Sequence, residues 1–132
     1  MGILKDIFKR FQKQCETAEN HPDEELRTHY YKGNFNQVFQ SVEQSFRQDS
    51  NCHITSVSKE HGEIAVEVRR PVPCFLIVTI ISVKPLETAV DFNISSEKTS
   101  LTGMYPLLKK QIITYYERIN RLHTYVGNGR NA

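Results

Sequence analysis

The amino-acid sequence predicts an α+β fold: a five-stranded, mostly antiparallel sheet (β-α-β4 meander-α) with two helices on one face and an amphipathic helix at the N-terminus. Three observations carry this expectation. Strand-like runs at about 53–59, 63–69, 74–83 and 87–95 follow one another through connections short enough to force antiparallel neighbours. Helical apolar stripes stand before and after that run. The third is Cys74-Phe75-Leu76-Ile77-Val78-Thr79-Ile80-Ile81, the one stretch in which both alternating sets of side chains are apolar. Phe75, Ile77 and Ile81 point to one face of such a strand, and Leu76, Val78 and Ile80 to the other. The neighbouring runs are apolar on one side only. One sheet face therefore packs a core, and the other carries an apolar stripe that something must cover.

The elements follow in order. Ile3, Leu4, Ile7, Phe8 and Phe11 fall within one helical arc, Cys15 and Ala18 extend it, and Lys5, Lys9 and Lys13 line the opposite side. This gives an amphipathic helix from residue 3 to about 18. The ten residues from Glu16 to Glu25, with five carboxylates and a break at Pro22, read as an acidic linker. A domain then spans 26–126. Arg27-Thr28-His29-Tyr30-Tyr31 is a first strand, whose place at one or the other edge of the meander stays open. Asn34 with Gln37 forms a capping box, and Phe35, Val38, Phe39, Val42 and Phe46 make the stripe of the helix it starts. Glu60-His61-Gly62, Arg70-Pro71-Val72-Pro73 and Lys84-Pro85 break the meander, with Gly62 supplying positive φ at a hairpin turn. A long helix begins near 103–106 and runs to about Tyr125 on Met104, Tyr105, Leu108, Ile112, Tyr115, Tyr116, Ile119 and Leu122. Residues 127–132 are a tail.

Length and composition exclude several classes. A chain of 132 residues can bury a core without disulfides or metal. With 24% charged residues and a net charge of +2, it is too balanced for whole-chain attraction to nucleic acid. Cys15, Cys52 and Cys74 are odd in number and widely spaced, which leaves no zinc knuckle and no CxxC dithiol and suits reduced thiols in a cytoplasm. Lys5, Asp6, Lys9 and Arg10 interrupt any signal-peptide core, and Asp6 stands where a myristoylation motif wants Ser or Thr.

The chemistry-bearing residues do not assemble into a motif. His21, His29, His53, His61 and His123 show no metal-ligand spacing, although His29 and His53 would approach one another if the first two strands paired. Cys52 and His53 point to opposite faces of a strand and cannot form a dyad. Glu63 and Glu67 share one strand face but lack a cleft. Lys109, Lys110, Arg118 and Arg121 read as the solvated side of a helix rather than a nucleic-acid footprint. No catalytic residue, metal site or cofactor is assigned, and the chain is expected not to be an enzyme.

The segments Leu26-Arg27-Thr28-His29-Tyr30-Tyr31 and Val57-Ser58-Lys59-Glu60-His61-Gly62-Glu63-Ile64 resemble small uncharacterised cytosolic proteins of Gram-positive bacteria. Those combine a strand, a helix, a four-strand meander and a closing helix, and the likeness covers about residues 26–122. The larger group of unknown-function domains has a glycine- and aspartate-containing loop before the last helix. Here that loop reads Ser96-Glu97-Lys98-Thr99-Ser100-Leu101-Thr102-Gly103. The resemblance implies a fold and no activity.

The functional expectation is thus a non-enzymatic cytoplasmic interaction module. Its candidate surface joins Ile3, Leu4, Ile7, Phe8 and Phe11 to Leu76, Val78 and Ile80. A helix this short is marginal alone in water, so it should form where it docks. Three surfaces can receive it: its own sheet, a second copy or protein partner, or a membrane surface contacted peripherally through residues 3–15. The alternative is a small apolar-ligand domain with a cavity between sheet and C-terminal helix, lined by Met104, Tyr105, Tyr115 and Tyr116. An enzyme with a noncanonical site is a more distant alternative.

Overall fold

Seven strands, not five, form one antiparallel sheet in the computed structural model, which describes residues 12–100 and 103–128. They are β1 (Gln14–Glu16), β2 (His29–Lys32), β3 (Cys52–Ser58), β4 (Glu63–Val68), β5 (Cys74–Lys84), β6 (Glu87–Ser95) and β7 (Tyr125–Asn128). Two α-helices pack on it, α1 (Phe35–Arg47) and α2 (Tyr105–Asn120). The strand order is β3-β4-β5-β6-β2-β7, and β1 also pairs with β6. The expected meander is present as β3 to β6, held by short loops. The first strand of the domain, β2, lies antiparallel to β6 and is itself covered by β7. His29 and His53 are therefore near opposite edges of the sheet, and the approach that pairing of their strands would have brought does not occur.

Both helices pack against the same sheet face. Val38, Phe39, Val42 and Phe46 of α1 and Leu108, Ile112, Tyr115, Tyr116 and Ile119 of α2 join one core with Ile64, Val66, Val68, Leu76, Val78, Ile80, Val90, Phe92 and Ile94. The capping box forms as expected: the Gln37 N–H donates to Asn34 Oδ1 at 2.8 Å, and the Asn34 N–H donates to Gln37 Oε1 at 3.2 Å. Pro106 sits in the first turn of α2, where its missing N–H removes no intrahelical bond.

Three boundaries differ from the sequence reading. Gln14, Cys15 and Glu16 form a strand in register with Ser95, Ile94 and Asn93, although Cys15 continues the helical period of residues 3–11. The acidic stretch after it is not a free linker. Thr17 and Ala18 stay bonded to Phe92 and Leu26, and Lys109 of α2 holds Asp23 at 2.7 Å and Glu25 at 3.1 Å. Helix α2 stops at Asn120, before Tyr125, because β2 has an outer edge to satisfy; the Lys32 N–H donates to the Thr124 carbonyl, and Tyr125–Asn128 continue as β7. Gly127 and Asn128 thus belong to the sheet rather than to a tail. The helix expected from residue 3 lies, up to residue 11, outside the described residues.

Gly62 has φ of +69° in the β3–β4 turn, its N–H bonds Lys59 and its carbonyl receives the Ile80 N–H at 2.7 Å. A Cβ there would meet the Ile80 carbonyl oxygen. Gly62→Ala is expected to destabilise the fold by at least about 1–3 kcal/mol, the cost of a strained positive-φ residue, in urea unfolding. An unchanged midpoint would refute the tight seating of this turn on β5.

Candidate functional site

Because β5 alternates, its two apolar sets face opposite ways, and the helices cover only one. Leu76, Val78 and Ile80 are 0, 0 and 2% exposed beneath α1 and α2. The expectation that this stripe receives residues 3–11 is corrected: it is the core side. Phe75, Ile77 and Ile81, at 47, 39 and 48% exposure, form the open face. The signal was present in the sequence. Ile64, Val66 and Val68 are the single apolar set of β4, and the hairpin register places them opposite Val78, Leu76 and Cys74. That parity assigns the core face of β5.

Polar groups frame the open stripe. Glu63 and Glu67 on β4 stand opposite Thr79 and Phe75. On the other side, across β6, Asn93 Nδ2 donates to Glu16 at 3.2 Å and its Oδ1 accepts from Gln14 Nε2 at 3.0 Å. Asp91 Oδ1 accepts the hydroxyls of both Thr17 and Thr28, each at 2.6 Å. Tyr30, opposite Ala89, donates its hydroxyl to Glu19. The framing residues along the stripe are mainly carboxylates, while Arg69 and Lys98 lie with Glu67 and Glu97 around the Phe75 end.

A second feature lies at the other side of the molecule, where β2 and β7 meet α2. The His29 ring stacks on Tyr116 at 3.6 Å and 8° and lies 4.5 Å from the Tyr125 ring. His29 Nδ1 is 3.1 Å from the Tyr31 hydroxyl, which donates to Asn120 Oδ1 at 2.6 Å. Burial depresses the imidazole to a pKa of about 4, against a smaller opposing hydrogen bond to Asn120. Burial likewise raises the phenols of Tyr31, Tyr116 and Tyr125, so all are neutral at pH 7.

The remaining candidates do not converge. Met104, Tyr115 and Tyr116 are buried in the filled core, with the Gln111 amide donating to the Tyr115 hydroxyl and Tyr116 donating to the Val90 carbonyl. Tyr105 faces a separate depression beside Cys15 and His21. The four tyrosine and methionine side chains therefore share no single cavity. Cys52 lies on the core face opposite Val68, and His53 on the other, opposite Glu67. Burial pushes the Cys52 thiol up to about 11 and the Cys74 thiol up to about 12, which leaves both protonated and unreactive at neutral pH. Arg118, read as a solvated cation, reaches Asp49 at 2.8 Å and lies over the Phe46 and Tyr115 rings. Ile3, Leu4, Ile7, Phe8 and Phe11 lie outside the described residues. Among the described residues no cluster of three His, Cys, Asp or Glu could hold a metal, and no helix is long and apolar enough to cross a membrane. Comparison with protein-family models, curated proteins and solved structures finds no match to the chain.

The buried His29 makes stability pH-dependent. The unfolded chain takes up a proton near the ordinary histidine value of 6.5, whereas the folded one resists until about 4. The unfolded state therefore binds more protons between these values, and stability falls as pH drops from 6.5 towards 4. Urea unfolding across this window should show that slope, and His29→Phe, which keeps a stacked ring, should flatten it. An equal slope in both proteins would show that another group carries it.

Proposed function

We propose that the protein is a non-enzymatic interaction module that works in the cytoplasm and binds an amphipathic helix with basic flanks on its open sheet face. The resident occupant is its own segment 3–11. The observation that carries this reading is the exposed Phe75–Ile77–Ile81 stripe framed by Glu63, Glu67, Glu16 and Asp91. The N-terminal segment is its chemical complement, with an Ile/Leu/Phe arc backed by Lys5 and Lys9.

Chain geometry supports the same occupant. The Ser96 N–H donates to the Lys13 carbonyl at 2.9 Å, and Gln14 stands opposite Ser95, itself opposite Phe75. The chain thus enters the described structure at the Phe75 end of the stripe. A nine-residue helix is about 13 Å long, against about 20 Å for the stripe, so an occupant of that length can cover Phe75 and Ile77 but not Ile81 as well. Completing the burial of two half-covered side chains contributes roughly 1.5–3 kcal/mol, enough to favour a short docked helix and weak enough to let a partner's helix replace it. Three free cysteines agree with a reducing compartment.

Methyl-labelled full-length protein tests the assignment. Cross-peaks are expected between the methyls of Ile3, Leu4 or Ile7 and those of Ile77 or Ile81. The exposed-site pair Phe75→Glu/Ile77→Glu should abolish them while leaving the core signals of Leu76 and Val78 in place. Cross-peaks only between differently labelled copies, or only after addition of anionic vesicles, would replace this occupant by a second chain or a bilayer and overturn the proposal.

A further inference from the structure

A cleft lies where β2 and β7 meet the C-terminal half of α2, and its lining shares no residue with the open stripe. Its volume of 320 Å³ lies at the small end of ligand pockets, about 300–1,000 Å³. We propose that it binds an alkylammonium cation, an ammonium or methylated ammonium group on a short aliphatic stem.

The charges at its mouth have one sign. Glu24, Glu25 and Glu117 line the cleft, and neither lysine nor arginine does. Two of these carboxylates are shared with cations outside the lining: Lys109 bridges Asp23 and Glu25, and Arg27 stands 4.0 Å from Glu24. Glu117 makes no ion pair among the described residues. An anion would meet repulsion here, and a neutral apolar guest would strip water from carboxylates without replacing it.

The wall behind these carboxylates suits a cation equally. Tyr125 is 38% exposed and lines the cleft together with His29, so its electron-rich ring is available to an ammonium group. His29 lies behind it, stacked on Tyr116 and against Tyr125, so it supports the Tyr125 ring and brings no positive charge to the wall. Asn120, whose Oδ1 accepts the Tyr31 hydroxyl, adds a polar group to the same wall. Ile113 offers an apolar surface for the stem. Acceptors, an aromatic face and an aliphatic patch are thus combined without a cationic donor in the lining.

The test is an NMR titration of the full chain with cadaverine, tetramethylammonium and a blocked lysine amide, at ionic strength held constant with sodium chloride. At least one cation should give saturable shifts centred on Tyr125, Asn120 and Glu117, and pentanoate should give none. Glu24→Gln/Glu117→Gln, at exposed positions that leave the core untouched, and Tyr125→Leu should each weaken affinity about two- to thirtyfold. Tighter binding of the lysine amide assigns the cation to a protein side chain, and tighter binding of cadaverine assigns it to a free amine; both support the site. No saturable shift at millimolar cation, or an affinity unchanged in the glutamine double variant, overturns it.

Discussion

Strand β6 is paired along its length by β5 on one side, whereas on the other side β2 takes Glu87–Val90 and β1 takes Asn93–Ser95. The join between those two short strands falls at Asp91 and Phe92. There Thr17 closes the ladder: its N–H donates to the Phe92 carbonyl, its Oγ1 accepts the Phe92 N–H at 2.9 Å, and its hydroxyl donates to Asp91. Thr28 donates to the same carboxylate from the start of β2. A single aspartate thus fastens both ends of the excursion 17–28. The Ala18 N–H to the Leu26 carbonyl and the Thr28 N–H to the Ala18 carbonyl draw the two legs of that excursion together. Without this clasp, β1 would be three residues held only by their short ladder to β6 and by one core side chain, Cys15.

Two faces of the sheet consequently have different roles. The helix-covered face is a filled core whose tyrosine hydroxyls find partners at Val90, Gln111 and Asn120. Burial holds the Cys52 and Cys74 thiols protonated, so the cysteines add packing rather than chemistry. The open face keeps an apolar stripe between carboxylates, in line with a surface for a basic amphipathic helix. The aromatic cleft at β7 belongs to neither role. It exists because α2 ends early and the chain returns as a strand beside β2, which brings Tyr125 over His29.

Local signals in the sequence were reliable where structure is decided locally. The Asn34–Gln37 box, the α1 stripe, the Gly62 turn and the four-strand meander all follow from residues near one another in the chain. Strand β1 was hidden because Cys15 and Ala18 continue a helical period, while its pairing to Ile94 spans most of the chain and a three-residue strand shows no alternation. Strand β7 was hidden for a similar reason: nothing near Tyr125 announces that β2 has an unpaired edge. The open stripe shows in the sequence as a pattern, but which set of β5 faces the core follows only from the parity of β4 across the hairpin register. The cleft was not legible, since Glu24, His29, Glu117 and Tyr125 converge only through tertiary contacts.

The clasp at Asp91 is the element on which the placement of β1 depends, and native-state hydrogen exchange on Thr17→Val tests it most directly. The substitution keeps the shape of the side chain and removes the acceptor of the Phe92 N–H, at a cost of about 1–3 kcal/mol for an unpaired buried amide. The account predicts that the Phe92, Thr17 and Ala18 amides lose protection together, while the Ile80 amide, bonded to Gly62 on the far side of the sheet, stays protected against local opening. Unchanged protection at Phe92 and Thr17 would contradict it, because β1 would then be held by something other than the clasp.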